Sequence, residues 1–223
     1  MPRLARVDVG DQIYHVINRA NGRMQIFDSK EDYQIFEKLL LDTKELLDMR
    51  VLAYVLMPNH WHLLLYPKKD GDLGTFMHRL TNAHTRQVHV RTRTIGSGHL
   101  YQGRYKSFLV DTDSYFLALL KYIERNPARC RLSRRCESWL WGSAWRRIHG
   151  TANQRKLLSP SPVSLPKKYT KWINEPESPK ELEEIRLSVN KGVPYGRDKW
   201  VDAMVTQFSL QSTTRNVGRP RNN

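Results

Sequence analysis

Two histidines stand one residue apart in the hydrophobic run "MPNHWHLLLY", residues 57–66, with Trp61 between them. If this run is a β-strand, residues two apart point to the same face, so His60 and His62 project together while Trp61 points to the opposite face. Neutral imidazole is the commonest metal ligand, and two such nitrogens need a third, often oxygen-bearing, ligand to hold a hard cation. The pair alone does not establish a metal site, because H-x-H also occurs often by chance.

A tyrosine and an asparagine lie four residues apart within "DTDSYFLALLKYIERNP", residues 111–127. On a helix, Tyr122 and Asn126 share one face one turn apart, so a phenol and an amide oxygen can reach the same point. The alternative is that Tyr122 packs in the core and Asn126 caps the helix before Pro127. Tyr115, seven residues before Tyr122 and near the same helical face, competes with it as a nucleophile.

The chain is strongly basic. Lys and Arg number 37 against 22 Asp and Glu, which gives a formal net charge of +15 and a pI near 10.0. Such a balance indicates a polyanionic partner, and nucleic acid is favoured over an anionic membrane because the basic residues do not form one amphipathic helix. The apolar runs are too short to span a bilayer, and the N-terminus lacks the apolar core of a signal peptide. We therefore expect a cytoplasmic, nucleoid-associated protein with no membrane partner.

The elements that must position these residues follow from hydrophobic periodicity and from capping and turn residues. The expected order is a strand at 11–20, a helix at 29–48, a hairpin at 50–67 turning at "PN", a helix at 73–90, a strand or loop at 99–110 and a helix at 111–127. This order predicts an α+β, ferredoxin-like antiparallel sheet with helices on one face. His15 falls in the first strand, where we expect a core or hydrogen-bonding role.

The chain divides into three parts on composition. Residues 1–150 form the predicted main domain, residues 151–177 contain the Ser- and Pro-rich stretch "LSPSPVSLPKK" and form a linker or an ordered arm, and residues 178–223 form a small helical, basic extension. Within the extension, Ser178 and Glu181 form a capping box, Gly192 ends that helix, and a second helix is expected from about 197 to 208. The extension either reads DNA or packs on the main domain.

Several motifs together resemble those of a known family. The segments "YHVINRANGRMQIF", "MPNHWHLLL" and "RYKSFLVDTDSYFLALLKYIERNPARC", followed by "WLWGSAW", are similar to the one-tyrosine HUH transposases, and more closely to the REP-associated tyrosine transposases of bacteria. The resemblance covers about residues 10–150. The later segment "LSVNKGVPYGRDKWVDAMV" and the terminal "GRPR" also look like that branch.

The resemblance implies a fold, an activity and roles for individual residues. The fold would be that of an HUH nuclease, and the activity that of a metal-dependent single-stranded DNA endonuclease and strand transferase acting at palindromic repeats folded as hairpins. His60 and His62 would bind Mg or Mn, and Asn126 would supply the third ligand, where some relatives have Gln. Tyr122 would attack the DNA and leave a 5′-phosphotyrosine and a free 3′-OH.

Other residues are predicted to contact DNA through charge or stacking. In the main domain these are Arg19, Tyr101, Arg104, Tyr105 and Lys106. Arg219 and Arg221 lie in "GRPR", which is similar to arms that enter the minor groove, although a disordered tail is the alternative. A non-catalytic DNA- or RNA-binding protein on the same fold is the competing function. The sequence distinguishes neither a monomer from a homodimer nor action of the tyrosine in cis from action in trans.

Overall fold

Four strands form one antiparallel sheet in the computed structural model, which describes residues 6–96 and 98–215. The strands are β1 (Ile13–Arg19), β2 (Arg50–Met57), β3 (His60–Tyr66) and β4 (Lys106–Val110). Their spatial order is β2-β3-β1-β4, the order of a ferredoxin-like sheet, and β2 and β3 form the hairpin predicted around Pro58 and Asn59. The predicted α+β class with an antiparallel sheet is confirmed. Arg219 and Arg221 lie outside the described residues.

Ten α-helices and two short 3₁₀ turns are found in the described parts of the chain. The helices are α1 (Lys30–Leu47), α2 (Asp72–Thr92), α3 (Ser114–Glu124), α4 (Asn126–Arg129), α5 (Ser143–His149), α6 (Ala152–Arg155), α7 (Tyr169–Asn174), α8 (Pro179–Lys191), α9 (Asp198–Gln207) and α10 (Gln211–Thr214). The 3₁₀ turns span Asn21–Arg23 and Cys136–Ser138. No helix among residues 6–96 and 98–215 is long and apolar enough to cross a membrane.

Local signals set the ends of two of the longer helices. At the start of α1 the Ser29 hydroxyl accepts the N–H of Asp32, and the Asp32 carboxylate accepts the N–H of Ser29. At the start of α8, Ser178 and Glu181 make the same reciprocal pair, and Gly192 ends α8 in the left-handed region with φ of 79°. These capping predictions are confirmed, because each depends only on residues three or four positions apart.

The helix predicted at 111–127 is two helices. The first of them, α3, begins after Asp113, whose side chain makes no capping hydrogen bond, and ends at Glu124. The second, α4, begins at Asn126. Pro127 is the physical reason, because it has no N–H to donate to the carbonyl of Ile123, four residues earlier. That carbonyl instead accepts a hydrogen bond from the side-chain amide of Asn126.

The helices cover both faces of the sheet, not one. Helices α1 and α2 pack on the face that carries Tyr14, Tyr54 and Trp61, hereafter the first face. Helices α3 and α8 pack on the opposite face, which carries Val55 and Leu64, hereafter the second face. The two helices inside the βαββαβ unit do share a face, as predicted. The correction concerns α3, whose apolar side chains bury a second set of strand residues.

The C-terminal part of the chain packs chiefly against the second face, while α9 packs against the core of the first face. Ile173 and Ile185 are fully buried, and Tyr195 forms a parallel bridge with Val110 at the end of β4. The Asp111 carboxylate accepts a hydrogen bond of 2.8 Å from Nε of Arg197. Burial of this kind removes apolar surface from water. Residues 151–215 therefore complete the core of the sheet, and the Ser- and Pro-rich stretch is an ordered arm along it.

Trp61 anchors β3 in the core of the first face. Its side chain is fully buried, and its Nε1–H donates to the hydroxyl oxygen of Tyr101 at 3.0 Å. The Tyr101 hydroxyl lies 2.6 Å from Nδ1 of His84. Burial lowers the pKa of His84 to about 3, so this ring is neutral and its Nδ1 accepts a hydrogen bond from the phenolic O–H. The three side chains form one satisfied chain of donors and acceptors.

We predict that Tyr101→Phe lowers the free energy of unfolding by about 1–3 kcal/mol, because it leaves the buried polar atoms of Trp61 and His84 without their partner. Urea denaturation followed by circular dichroism measures the change. Tyr115→Phe is the control, since the Tyr115 hydroxyl makes no hydrogen bond with the described residues. Equal urea midpoints for the two variants would contradict the role given to Tyr101.

Candidate active site

His60 and His62 lie side by side on the second face, at the start of β3. Their ring centroids are 5.2 Å apart, and Trp61 points into the core of the first face. In the register of the sheet, His62 is opposite Ile17 of β1 and His60 is opposite Arg19. The predicted arrangement of the two imidazoles is confirmed.

His15 supports His62 from the neighbouring strand. Nε2 of His15 lies 2.8 Å from Nδ1 of His62, and burial lowers the pKa of both rings, to about 3 for His15 and well below the usual value for His62. Both imidazoles are therefore neutral, and one donates to the other. If Nδ1 of His62 is the donor, its Nε2 keeps a free lone pair, as a metal ligand requires. The expected hydrogen-bonding role of His15 is confirmed.

His60 has the same orientation of its ring nitrogens. Its Nδ1–H donates to Oδ1 of Asn59 at 2.7 Å, which leaves the Nε2 lone pair free. Burial, and next the nearby charge of Arg19, lower the pKa of His60 to about 4. Near neutral pH, His60 is therefore in the uncharged form that binds metals.

Tyr122 lies against the histidine pair. Its ring centroid is 6.1 Å from that of His62, with the two planes nearly perpendicular, and its side chain is almost wholly buried. Burial raises the pKa of the Tyr122 phenol, and the positive charge of Arg129 opposes that rise. The Arg129 guanidinium lies 4.1 Å from the centroid of the Tyr122 ring, a cation–π contact. Tyr115 instead packs its ring on Tyr195, with centroids 5.1 Å apart.

Asn126 is buried at the break between α3 and α4. Its Nδ2 donates to the carbonyls of Tyr122 and Ile123 at 3.1 and 3.2 Å. The side-chain nitrogen of Asn126 therefore caps the end of the helix, as the alternative interpretation of Asn126 predicted. Its Oδ1 makes no hydrogen bond with the described residues and stays available as an oxygen ligand. Among those residues no cluster of three or more His, Cys, Asp and Glu side chains could hold a metal ion.

Two side chains at this site were not found by sequence reasoning. Nη2 of Arg129 donates to the carbonyl of Tyr122 at 2.9 Å, and its Nη1 pairs with Glu177 at 2.6 Å. Glu177 also pairs with Nε of Arg125 at 2.9 Å. Arg125 and Arg129 are four residues apart, so the sequence could have placed them on one side of a helix. Their partner Glu177 lies about fifty residues later in the chain, and no local sequence pattern predicts that pairing.

The predicted DNA-binding residues fall into two groups. Arg19, Arg104 and Lys106 line one cavity of about 300 Å³ beside the histidine pair. The stacking role of Tyr101 does not fit its burial, because its ring lies in the core and its hydroxyl is bonded to Trp61 and His84. Tyr105 is also buried, with the guanidinium of Arg6 at 3.9 Å from its ring centroid.

Comparison with known proteins identifies the family. Residues 8–126 match the family model described as "Transposase IS200 like". No curated protein matches the chain. A solved structure of a REP-associated tyrosine transposase bound to a REP hairpin is similar over 80% of this chain and 99% of that one, with a TM-score of 0.57 and 15% identity. A putative transposase from Deinococcus radiodurans R1 is similar over 56% and 97%, with a TM-score of 0.40 and 22% identity.

The TM-score of 0.57 to the hairpin-bound structure shows a similar fold, and at 15% identity the comparison shows the fold alone. The family match is more specific, since it spans more than half of the 223 residues and includes His60, His62, Tyr122 and Asn126. The protein belongs to the family of IS200-like transposases.

Proposed function

We propose that the protein is a metal-dependent single-stranded DNA endonuclease and strand transferase of the REP-associated, HUH type. The observation that supports this most is the position of Tyr122, whose ring lies against His62 on the face shared with His60. A protein that only bound DNA would have no need to bring a phenol to a pair of neutral imidazoles. The proposed activity agrees with the transposase family to which the chain belongs.

The reaction assigned to this site is a transfer of a phosphodiester to tyrosine. The phenolic oxygen of Tyr122 forms a bond to phosphorus, the bond from phosphorus to the 3′ oxygen breaks, and that oxygen takes up a proton as the phenol loses one. The product is a 5′-phosphotyrosine and a free 3′-OH, so the energy of the bond is conserved. The 3′-OH of a second strand can then reverse the step and join DNA without ATP.

The residues at the site fit a divalent cation, either Mg or Mn. Nε2 of His60 is left free by the hydrogen bond at its Nδ1, and Nε2 of His62 is free in the tautomer in which its Nδ1 donates to His15. Oδ1 of Asn126 makes no hydrogen bond with the described residues and can act as an oxygen ligand. When bound, such a cation polarises the scissile phosphate and neutralises charge that develops in the transition state. His15 fixes the ring of His62, in the way that outer partners orient metal-bound histidines.

The proposed substrate is a single strand that carries a palindromic repeat folded as a hairpin. The net charge of +15 suits a polyanion, and the similar solved structure contains a REP hairpin. The protein's own residues bind the strand, hold Tyr122 against the histidines and exclude water from the buried ring of His62.

We predict that Tyr122→Phe abolishes the covalent adduct with DNA while folding and DNA affinity stay nearly unchanged, because only one oxygen is removed. Denaturing gel electrophoresis of the protein incubated with labelled, hairpin-bearing single-stranded DNA and Mg or Mn measures the adduct. Tyr115→Phe is the matched control and should keep wild-type yield. An adduct formed by the Tyr122 variant would make Tyr122 the wrong nucleophile, and a folded wild-type protein that binds but never reacts would favour the non-catalytic alternative.

We also predict that His60→Ala and His62→Ala each lose metal-dependent cleavage and keep salt-sensitive DNA binding. The cations that contact phosphates are Lys and Arg, so removing an imidazole leaves that part of the affinity intact. Cleavage yield and fluorescence anisotropy are measured on the same samples, with excess EDTA as a second test on the wild type. Full cleavage in EDTA would argue against the proposed metal site.

A further inference from the structure

The register of the sheet places two cations beside the histidine pair. Strand β1 lies between β3 and β4, and its residue Arg19 is opposite His60. Ile17, on the same face, is opposite His62 on one side and Lys106 on the other. Adjacent strands are about 4.8 Å apart, so the backbone of Lys106 lies about 10 Å from that of His62.

These cations line a cavity of about 300 Å³ that contains no acidic residue. Its lining includes Arg19, Gln102, Arg104 and Lys106, with Val189 and Asn190 of α8 on the side of the C-terminal extension. Three positive charges and three amides, the third from Asn18, with no carboxylate form a site for an anion. The volume is at the small end of ligand pockets, which fits one phosphodiester unit and excludes a folded hairpin.

The three positive charges lack neutralising partners among the described residues. None of Arg19, Arg104 and Lys106 forms an ion pair there, whereas eleven ion pairs form elsewhere. Nε of Arg19 is buried and has no hydrogen-bond partner in the same part of the chain. Among the described residues, the Lys106 ammonium makes one hydrogen bond, a long one of 3.5 Å to the carbonyl of Asn190. Buried donors in folded proteins are normally satisfied, so an anionic ligand would supply the partner that Nε of Arg19 lacks. The side chains of Arg104 and Lys106 are exposed and line the same cavity, so both can contact that ligand.

We propose that Arg19, Arg104 and Lys106 form a subsite for one backbone phosphate of the DNA strand, next to the phosphate that reacts at the histidine pair. This inference deepens the proposed nuclease function and rests on it for the identity of the strand. Because Val189 and Asn190 border the cavity, α8 contributes to the substrate site directly. The C-terminal extension then has a role in binding even where it contacts no base.

The test measures binding without reaction, in chains that all carry Tyr122→Phe. The probe is a fluorescein-labelled single strand of twelve thymidines, and anisotropy gives the dissociation constant over a range of salt concentrations. Lys106→Gln and Arg104→Gln should each lower the magnitude of the salt slope by about 0.7, the value for one phosphate contact on single-stranded DNA. Lys38→Gln is the matched control, because Lys38 is exposed on α1, away from the second face.

A second probe separates phosphate contacts from base contacts. The same twelve thymidines with uncharged methylphosphonate linkages should bind the Lys106 and Lys38 variants equally. The proposal is overturned if Lys38→Gln reduces the salt slope as much as Lys106→Gln, since net charge alone would then explain the effect. It is also overturned if Lys106→Gln still weakens binding of the uncharged strand. Failure of the wild-type protein to form an adduct would reject the nuclease and leave this binding result intact.

A separate observation concerns the nucleophile. Glu177, whose side chain is almost wholly buried, pairs with both Arg125 and Arg129, and Arg129 in turn contacts the ring and the carbonyl of Tyr122. We infer that Arg129 is a positioning residue for Tyr122 and that Glu177, from the segment that precedes α8, holds Arg129 in place. This second inference rests on the proposed role of Tyr122.

The test compares the rate of adduct formation at saturating DNA with the affinity for DNA. Arg129→Lys and Glu177→Gln should slow the reaction by about tenfold or more and leave affinity unchanged, because a displaced nucleophile lowers kcat and not binding. Lysine cannot replace the planar guanidinium that both stacks and donates. Glu137→Gln is the control, since Glu137 is also a buried carboxylate, pairs with the exposed Arg135 and makes no hydrogen bond with Tyr122.

Thermal unfolding of each variant shows whether a slower reaction comes from a displaced Tyr122 or from a less stable fold. If Glu177→Gln loses no more rate than Glu137→Gln at equal folded fraction, and Arg129→Lys reacts at the wild-type rate, the inference is wrong. An adduct formed by Tyr122→Phe would instead reject the proposed nucleophile.

Discussion

The alternation of side chains along β3 is the constraint on which the candidate site depends. Trp61 is buried on the first face and bonded to Tyr101, and this fixes which residues of β3 face the other way. A slip of one residue would send both histidines into the core of the first face and place the indole on the second face, where the histidines now lie. The large apolar side chain between the two imidazoles therefore sets their position as firmly as any contact they make themselves.

A second constraint is the break in the helix that carries Tyr122. Pro127 removes the backbone donor for the carbonyl of Ile123, and Asn126 supplies its side-chain nitrogen to that carbonyl and to the carbonyl of Tyr122. The same bonds fix the orientation of the amide, so its oxygen is left without a partner among the described residues. The helix break at Pro127 thus holds the backbone of the proposed nucleophile, Tyr122, and presents a candidate ligand oxygen.

Local patterns predicted those parts of the site that depend on neighbours in sequence. The shared face of His60 and His62 follows from a period of two, and the capping boxes follow from a spacing of three. The sequence did not predict the break after Glu124, because the apolar residues keep helical spacing up to Ile123 and no residue before Pro127 signals that the helix ends. It could not predict Glu177 beside Arg129, because that ion pair depends on how a distant segment returns to the second face.

The C-terminal extension is part of the site's electrostatics as well as of the core. Burial keeps the histidines neutral, and the same burial raises the pKa of Tyr122, which opposes formation of the nucleophilic phenolate. Arg129 and Arg186 act against that rise, and the first is held by Glu177 while the second lies on α8. Removing the extension would therefore uncover the apolar second face and also withdraw charge from the phenol. In the proposed function, residues of the main domain and of the C-terminal extension therefore act together in both DNA binding and the reaction.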